Sequence, residues 1–487
     1  MSTNKPFYIT TTLPYINSEP HIGFAMEIIR ADIIARSKAL QGFEVFFNTG
    51  TDEHGAKIYG NANKTGLDPQ VYADKASQVF KDLAPLLNIA TNVSDITYNF
   101  IRTTDLSHKK SAQAFWMKCF EKGDIYKKNY RIKYCIGCEL EKTDSELVDG
   151  KCSLHPSREI EIREEENYFF KFSNYSSYLL DLYSSNPHFV IPNTRLNEIT
   201  KFVERGLEDF SISRLKSKMP WGVEVPNDPD HSMYVWFDAL VNYVSAVGWP
   251  EDEEKFQKWW VETGGVVQYA GKDNLRQQSA MWQAMLKSAG LPPSKQIIVE
   301  GFINAEGGVK MSKSAGNGVS PTEILWEYGT DALRYFMARE IPSFEDGVFS
   351  KERFKESYNG NLANGLGNLV SRIMKMAQDN LEKPATIADF EDISKHFEFL
   401  NNFEIGKASD NIWKQIGEMD LYIQENQPFK LIKTNATAGK KMIEGLVVRL
   451  YTIARMLNPI MPETSAKIKA LIKSNKTPEI PLFLRKN

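Results

Sequence analysis

The sequence predicts an α/β protein built on a doubly wound parallel sheet, with a segment inserted into the sheet domain and a bundle of helices after it. Three observations predict this architecture. Strand, helix and strand alternate within the first fifty residues, strand-like runs return after a long charged interval, and helical periodicity with almost no strand signal fills the last third of the chain.

The N-terminal pattern is that of a β-α-β unit. Residues 7–12 are rich in aromatic and β-branched side chains, as in a strand, and residues 45–47 return to this composition. Between them, Gly42 ends a helical pattern whose apolar face is marked by four residues: Met26, Ile29, Ile33 and Leu40. Such a unit predicts parallel strands joined by a crossover helix.

A long interval separates this unit from the rest of the predicted sheet. From about residue 100 to residue 227 the pattern breaks into short, charged pieces around a group of cysteines, which indicates an inserted domain. Strand-like runs return at residues 233–237, 266–270 and 297–299. We expect these runs to complete the sheet.

The C-terminal third has a different pattern. After about Arg353 strand signals nearly vanish, and residues 362–376 and 442–456 carry helical periodicity. A bundle of helices is therefore expected here.

Composition and charge exclude several classes of protein. Of the 487 residues 42% are hydrophobic and 25% are charged, as in an ordinary globular protein. The formal net charge of −3 argues against a protein that coats nucleic acid by bulk attraction, so a nucleic-acid partner would need local basic patches. Neither a signal peptide nor an apolar run of membrane-spanning length is visible. We expect a cytoplasmic protein with no membrane association.

Three of the four cysteines form a pattern with one histidine. The spacing is Cys135-x-x-Cys138, thirteen intervening residues, then Cys152-x-x-His155, whereas Cys119 stands alone as a small buried residue. Two such pairs supply three sulfurs and one nitrogen, a set that suits tetrahedral Zn²⁺. With four protein ligands no coordination position stays open, which predicts one structural zinc per chain.

Two segments have the chemistry of a nucleotide site. His21 and Gly23 lie where a loop becomes the first helix, and a helix N-terminus offers free N–H groups to phosphate. Lys310 and Lys313, in a KMSKS segment after a Gly-Gly turn, supply two ammonium groups that can neutralise a triphosphate as pyrophosphate leaves. Each feature alone also fits local structure or a solvated surface loop.

Together these segments resemble the paired signatures of class I aminoacyl-tRNA synthetases, and the chain is most similar to the methionyl-tRNA synthetase family. The similarity runs from Tyr8 to the closing residues 481–483 and includes residues 13–15 (LPY), 50–55 (GTDEHG), 234–239 (YVWFDA) and 271–273 (GKD). It implies a ligase that activates L-methionine with ATP, in the presence of Mg²⁺, and transfers it to tRNA(Met).

The resemblance assigns roles residue by residue. Methionine would be bound by Leu13, Tyr15, Asp52, Trp236, Ala239, Tyr243 and Gln278. ATP would be bound by His21, Gly23, Glu27, Gly271, Asp273 and Lys313. The catalytic residues would be His21, Lys310, Lys313 and Arg214. An aromatic slot suits a polarizable thioether, and Asp52 would bind the ammonium group. Without the resemblance, Trp236 and Tyr243 would be interpreted as core aromatics and Arg214 as part of a surface ion pair.

The resemblance also implies contacts with tRNA. Asn368 and Arg372, four residues apart and so on one helical face, match the family's anticodon-reading helix. Phe429 takes the place of a tryptophan that stacks on an anticodon base in the family, although a phenylalanine in a bundle is usually a core residue.

These assignments divide the chain into four regions. Residues 1–102 and 229–308 would form a Rossmann-like catalytic domain, residues 103–228 an inserted connective domain with the zinc knuckle, residues 309–355 the lysine-loop and stem-contact region, and residues 356–487 a helical anticodon-binding domain. Because no basic tRNA-binding module is appended before Asn487, a monomer is expected.

Five positions depart from the family pattern. Phe24 stands where the first signature has a second histidine, Gln277-Gln278 replaces a Phe-His pair, Phe429 replaces tryptophan, and His155 replaces a cysteine ligand. One alternative is a sister synthetase for leucine, isoleucine, valine or cysteine, although the first three carry larger editing insertions. Another is a catalytically silent paralogue that binds tRNA or a protein partner, and Phe24 is its main support.

Overall fold

The computed structural model describes residues 5–135, 140–142, 147–152, 157, 159–308, 319–387 and 392–487. The first part of the chain alternates strands and helices as the sequence predicts. Its elements are β1 Pro6–Thr10, α1 Ile22–Leu40, β2 Glu44–Thr51, α2 Ala56–Thr65, α3 Pro69–Leu86, β3 Ile96–Arg102 and α4 Leu106–Glu121. Helix α1 ends where expected, since Gly42 follows it with a positive φ of 86°.

The middle of the chain contains most of the short strands. Its elements are β4 Ile125–Cys135, β5 Leu140–Lys142, β6 Leu147–Val148, β7 Lys151–Cys152, β8 Ile160–Phe170, α5 Ser176–Ser185, β9 Val190–Ile191, α6 Asn193–Glu204, β10 Phe210–Ser211, β11 Ser213–Leu215, β12 Glu224–Val225 and β13 Asp228–Met233. Strands β4 and β8 form a long antiparallel ladder, flanked by β5 and β10.

The chain then returns to the central sheet. The elements are α7 Val235–Leu240, α8 Asn242–Ser245, α9 Glu253–Phe256, β14 Val267–Gly271, α10 Trp282–Ser288, β15 Gln296–Glu300 and β16 Ile303–Asn304. The strands expected at residues 266–270 and 297–299 are β14 and β15. The strand expected at residues 233–237 is wrong, because β13 ends at Met233 and helix α7 follows. A short apolar run fits a buried helix as well as a strand, so periodicity alone could not separate them.

The last part of the described chain is helical apart from one short strand. Its elements are α11 Pro321–Tyr328, α12 Thr330–Tyr335, β17 Gly347–Val348, α13 Lys351–Ser357, α14 Asn368–Asn380, α15 Ser394–Asn401, α16 Ile405–Asn426, α17 Pro428–Thr434, α18 Ala436–Leu457 and α19 Pro462–Ser474. This confirms the helical C-terminal region. Of the helices in the described part of the chain, none is both long and apolar enough to cross a membrane.

The central sheet has six parallel strands in the order β3-β2-β1-β14-β15-β9. The edge strand β9 comes from within residues 103–228, so the predicted insertion also contributes to this sheet. Strand order runs in opposite directions on the two sides of the β1–β14 pair. In a doubly wound sheet, ligands bind at the carboxyl ends of the strands at this point of reversal.

Two hydrophobic clusters cover the two faces of the sheet. In β1, Phe7 and Ile9 belong to the first cluster and Tyr8 to the second, as the alternation of side chains in a strand requires. The first cluster continues without interruption into helices α12 to α19, whereas the second includes α4, α7, α8 and α10. The helical region therefore shares a core with the sheet.

Candidate active site

The segment after β1 brings a histidine to the start of helix α1. His21 is the residue that precedes the helix, and its Nδ1 accepts a hydrogen bond from the Gly23 N–H at 3.1 Å. A Cβ atom on Gly23 would lie 3.0 Å from the imidazole ring, so glycine gives the ring room over the helix end. This places an imidazole beside free N–H groups at the carboxyl end of β1, an arrangement suited to phosphate.

Carboxylates lie beside the same strand ends. Glu27 Oε1 accepts hydrogen bonds from the backbone N–H and the hydroxyl of Thr12, both at 2.6 Å. Burial, together with the charges of Glu300 and Asp273, raises the pKa of Glu27 well above its usual range, although Thr12 opposes the shift. A polar or cationic ligand group at this point would relieve the repulsion among the three carboxyls.

Glu300, at the end of β15, is paired with a buried arginine of helix α1. Arg30 Nη1 lies 3.2 Å from Glu300 Oε2, and the same guanidinium donates to the carbonyls of Met337 and Ile341. Burial raises the pKa of Glu300 to about 7 against the opposing effect of Arg30. The pair joins α1 to β15, and the charge of Glu300 also acts on Glu27.

The segment after β14 turns sharply at Gly271. A Cβ atom there would lie 2.8 Å from Asp273 Oδ1, so only glycine allows the Asp273 carboxylate this position. Lys272 Nζ lies 2.7 Å from Asp346 Oδ2, so this side chain is paired outside the turn. The carboxylate of Asp273 is the group of the turn whose charge acts on Glu27. Gly271 and Asp273 thus lie at the strand end that adjoins the histidine loop.

Asp52 and Tyr15 meet where the segments after β1 and β2 run side by side. The backbone of Tyr15 pairs with that of Asp52, and the Asp52 N–H donates to Pro14 O at 2.9 Å. Burial and the charge of Asp238 raise the pKa of Asp52 well above its usual range, and its Oδ1 has no hydrogen-bond partner among the described residues. A buried carboxylate with an unused acceptor is suited to a substrate ammonium group.

The predicted aromatic residues lie on the neighbouring helices. Trp236 and Ala239 are on α7, and Tyr243 on α8 is 1% exposed. Leu13 packs against the same hydrophobic cluster that contains Tyr243. Gln278 is also buried; its Oε1 accepts from Gln268 Nε2 at 2.8 Å. Gln278, one of the two substituted glutamines, is therefore buried behind these aromatic residues.

The surroundings of Tyr243 explain how that layer accommodates a glutamine. Burial raises the pKa of the Tyr243 hydroxyl, while Gln278, Gln268 and Asn242 oppose the shift through hydrogen bonding. Three polar side chains therefore lie near one buried hydroxyl.

The structure also gives the surroundings of Phe24 and of the predicted catalytic residue Arg214. Phe24 does not face the loop: it is 9% exposed and packs edge-to-face on Phe80 at 5.2 Å. Arg214 lies over the ring of Tyr234, 4.4 Å from its centroid, and donates to Ser211 Oγ at 2.7 Å. Phe24 thus has a core role, and the guanidinium of Arg214 is stacked beside α7.

Sequence reasoning missed a buried group that joins these segments. Asp238, on α7, lies between His54 Nδ1 at 2.8 Å and His108 Nε2 at 3.3 Å. Burial raises the pKa of Asp238, but the two imidazoles outweigh it and hold the pKa below its usual range. The signal was a lone aspartate within the apolar run of residues 235–241, which is unexpected unless a partner is present.

Several predicted residues lie outside the described residues: Lys310, Lys313, Cys138 and His155. Of the predicted zinc ligands, Cys135 ends β4 and Cys152 ends β7, and both are fully buried. Cys119 belongs to the second hydrophobic cluster, as expected for a small apolar residue, whereas Cys135 and Cys152 belong to neither of the two clusters found in the described part of the chain.

Two of the three predicted anticodon residues line one cleft in the helical region. A cleft of about 590 Å³ is lined by Arg372 and Phe429 together with Ser371, Lys375, Met376, Ile423, Thr477 and Pro478. Phe429 is 44% exposed, which argues against a core role, and Arg372 forms an ion pair with Asp420. Asn368 is exposed one turn earlier on α14.

Comparison with known proteins places the chain in a family. The model of the family described as tRNA synthetases class I (M) matches residues 7–159 and 137–374. The methionine–tRNA ligase of Caldanaerobacter subterraneus subsp. tengcongensis is 41% identical over 481 residues, which cover 95% of this chain and 73% of that relative. The methionine–tRNA ligase of Thermosynechococcus vestitus is 44% identical over 482 residues, covering 95% and 89%.

A solved structure agrees with these relatives. Mycobacterium tuberculosis methionyl-tRNA synthetase in complex with methionyl-adenylate has a TM-score of 0.86 and 37% sequence identity to this chain, and the match covers 96% of this chain and 94% of that one. With the strand reversal, the histidine at the start of α1 and the buried carboxylate beside an aromatic wall, these matches establish that the chain belongs to the methionyl-tRNA synthetases of class I.

Proposed function

We propose that this chain is a methionine–tRNA ligase, which activates L-methionine with ATP and transfers it to tRNA(Met). The observation that carries the proposal is the family match over almost the whole chain, onto a fold whose strand reversal lies beside His21, Asp52 and Tyr243. In the first step the methionine carboxylate attacks the α-phosphorus of MgATP and pyrophosphate leaves. In the second step the terminal ribose hydroxyl of tRNA attacks the adenylate carbonyl and AMP leaves.

The nucleotide would bind across the ends of β1 and β14. His21 and the N-terminus of α1 would contact the phosphates, supported by Gly23, while Gly271 and Asp273 would contact the nucleoside. Lys310 and Lys313 would neutralise the charge that develops on departing pyrophosphate, and magnesium enters with the substrate as MgATP. Arg214, stacked on Tyr234 next to α7, would also help to stabilise this negative charge.

Methionine would bind between the two loops and helices α7 and α8. Asp52 would accept the ammonium group, which would favour the ionised carboxylate that burial and Asp238 disfavour in the free protein. Leu13, Tyr15, Trp236, Ala239 and Tyr243 would surround the thioether, with Gln278 behind Tyr243. Aromatic walls give a polarizable sulfur favourable contacts.

Recognition of tRNA(Met) would occur at the cleft between α14 and α17. Phe429 is exposed and available to stack on an unpaired base, and Arg372 and Asn368 would contact base edges. Because Arg372 is paired with Asp420, a base would compete with that carboxylate for the guanidinium. The four-part division of the chain, including the stem-contact region, belongs to this proposal, as do the cytoplasmic location and the monomeric state.

A structural zinc would bind in the segment between β4 and β8. Cys135 and Cys152 fit this role because both are buried at the ends of strands and outside the two hydrophobic clusters. Together with Cys138 and His155 they would complete a tetrahedral site, and bound zinc would supply the cross-link that an apolar core supplies elsewhere.

Pyrophosphate exchange across amino acids tests the function. With MgATP and ³²P-labelled pyrophosphate, methionine should support exchange at least a hundredfold faster than leucine, isoleucine, valine or cysteine, since a binding difference of about 3 kcal/mol gives roughly this ratio. Exchange with one of the other amino acids would favour a sister synthetase. No exchange with any of them, together with tRNA binding, would favour the silent paralogue.

A further inference from the structure

The buried group around Asp238 joins four segments of the candidate site. Its carboxylate on α7 meets His54, which lies two residues after Asp52, and His108 on α4. His108 Nδ1 in turn lies 2.9 Å from Ser245 Oγ on α8. The side chains of Asp238, His54 and His108 are at most 1% exposed.

The hydrogen bonds to Asp238 run in one direction, from the two imidazoles to the carboxylate. An ionised carboxylate can only accept hydrogen bonds, so His54 Nδ1–H and His108 Nε2–H both donate to Asp238. The other ring nitrogen, His108 Nδ1, lies 2.9 Å from Ser245 Oγ, which is also 3.4 Å from the carbonyl oxygen of Asn242. With both oxygens of Asp238 engaged, the carboxylate is oriented from two sides.

Helix α7 depends on such contacts for its position. It has six residues, the preceding residue Tyr234 supplies no side-chain cap, and a helix of this length is not stable without tertiary contacts. Trp236 and Ala239, on either side of Asp238 in sequence, belong to the proposed methionine pocket. The bond from Asp238 to His54 therefore sets the distance between that wall and the loop that carries Asp52.

The negative charge of Asp238 also acts on the proposed methionine pocket. Together with burial it raises the pKa of Asp52. A substrate ammonium group relieves the repulsion between the two carboxylates, so the negative charge of Asp238 adds to the attraction for methionine.

We propose that Asp238, held between His54 and His108, is a positioning residue for methionine binding, which acts by fixing α7 against the Asp52 loop and by adding negative charge behind Asp52. The proposal rests on the proposed function, since it concerns the same pocket. It assigns no contact with ATP to this group. A substitution in the group should therefore change the KM for methionine more than the KM for ATP.

The test compares the kinetics of Asp238→Asn with those of the unchanged protein in pyrophosphate exchange. Asparagine keeps the shape but removes the charge and one acceptor. We expect the KM for methionine to rise about ten- to hundredfold, as for loss of a charged hydrogen bond, with kcat and the KM for ATP changed by less than roughly threefold. An equal rise of both KM values, or no rise in that for methionine, overturns the proposal.

A matched control and a rescue pair separate positioning from stability. Asp331 is another buried aspartate, which accepts the Thr464 N–H at 2.6 Å in the helical region; Asp331→Asn should lower the melting temperature without changing the KM for methionine. His108→Leu removes one donor to Asp238, and His108→Gln returns an N–H near the position of Nε2.

The rescue pair also decides the question if Asp238→Asn fails to fold. We expect His108→Leu to raise the KM for methionine and His108→Gln to restore most of the affinity. Equal KM values for the two variants contradict the proposal. A complete lack of methionine-dependent exchange by the unchanged protein would instead refute the proposed function.

Discussion

Replacing Asp32 should destabilise the protein strongly, because this buried carboxylate neutralises two arginines. Asp32 Oδ2 lies 2.6 Å from Arg334 Nη2 and 2.8 Å from Arg36 Nε, and Oδ1 accepts the Ala90 N–H at 2.7 Å. Arg334 also donates to Ile460 O at 2.8 Å. One carboxylate thus connects α1 of the sheet domain to α12 and to the loop between α18 and α19.

The expected magnitude follows from burial. Asp32 and Arg334 are fully buried, and removing one partner of such a pair leaves an uncompensated charge, which costs about 3–5 kcal/mol. Domains are stable by only about 5–15 kcal/mol, so this is a large fraction. At about 2 cal/mol/K per residue, 487 residues give an unfolding entropy of about 1 kcal/mol/K, hence a fall in Tm of about 3–5 °C.

Calorimetry and urea denaturation of Asp32→Ala, with Asp32→Asn beside it, measure this loss. Asparagine retains an acceptor for the Ala90 N–H, so Asp32→Asn should lose about 1 kcal/mol less stability than Asp32→Ala. The matched control is Asp379→Ala, which breaks an exposed i,i+4 pair with Lys375 and should cost less than about 0.5 kcal/mol. If Asp32→Ala costs no more than Asp379→Ala, the reasoning from buried charge is refuted.

The remaining predictions concern the reaction, the tRNA, the metal and pH. Lys313→Ala should slow adenylate formation by orders of magnitude with little change in methionine affinity, measured by pre-steady-state kinetics; an unchanged rate contradicts the lysine-loop assignment. Arg372→Ala should lower tRNA aminoacylation and spare pyrophosphate exchange; a parallel fall in both would indicate a structural role. Metal analysis should find one zinc per chain, lost in Cys135→Ser; a zinc content unchanged by this substitution would exclude Cys135 as a ligand. The pKa of Glu300 is raised from its ordinary 4.5 to about 7, so its protonation stabilises the folded protein fully below about pH 4.5, and this stabilisation is lost as pH rises through about 7. The free energy of unfolding should therefore fall by roughly 3 kcal/mol over this range. Glu300→Gln should flatten this pH profile.

Local features of the fold were predictable because they depend on residues close together in sequence. The end of α1 before Gly42 follows from the glycine's positive φ, and the start of the helix follows from His21 and Gly23 at the junction with the preceding loop. The periodic segment at residues 442–456 located the end of α18 to within one residue, although the helix begins six residues earlier, at Ala436. The same information could not decide whether residues 233–237 form a strand or a helix, because five apolar residues satisfy both periods.

The sequence by itself determined the class of fold, the helical C-terminal region and the family, since these depend on patterns and motifs along the chain. Only the tertiary structure decided that β1 lies beside β14, that Phe24 packs on Phe80, and that Asp238 lies between His54 and His108. The physical reason is that burial acts on the whole molecule. A charged residue in an apolar run can be buried only where segments distant in sequence supply its hydrogen-bond and charge partners. The local sequence pattern does not predict which residues these partners are.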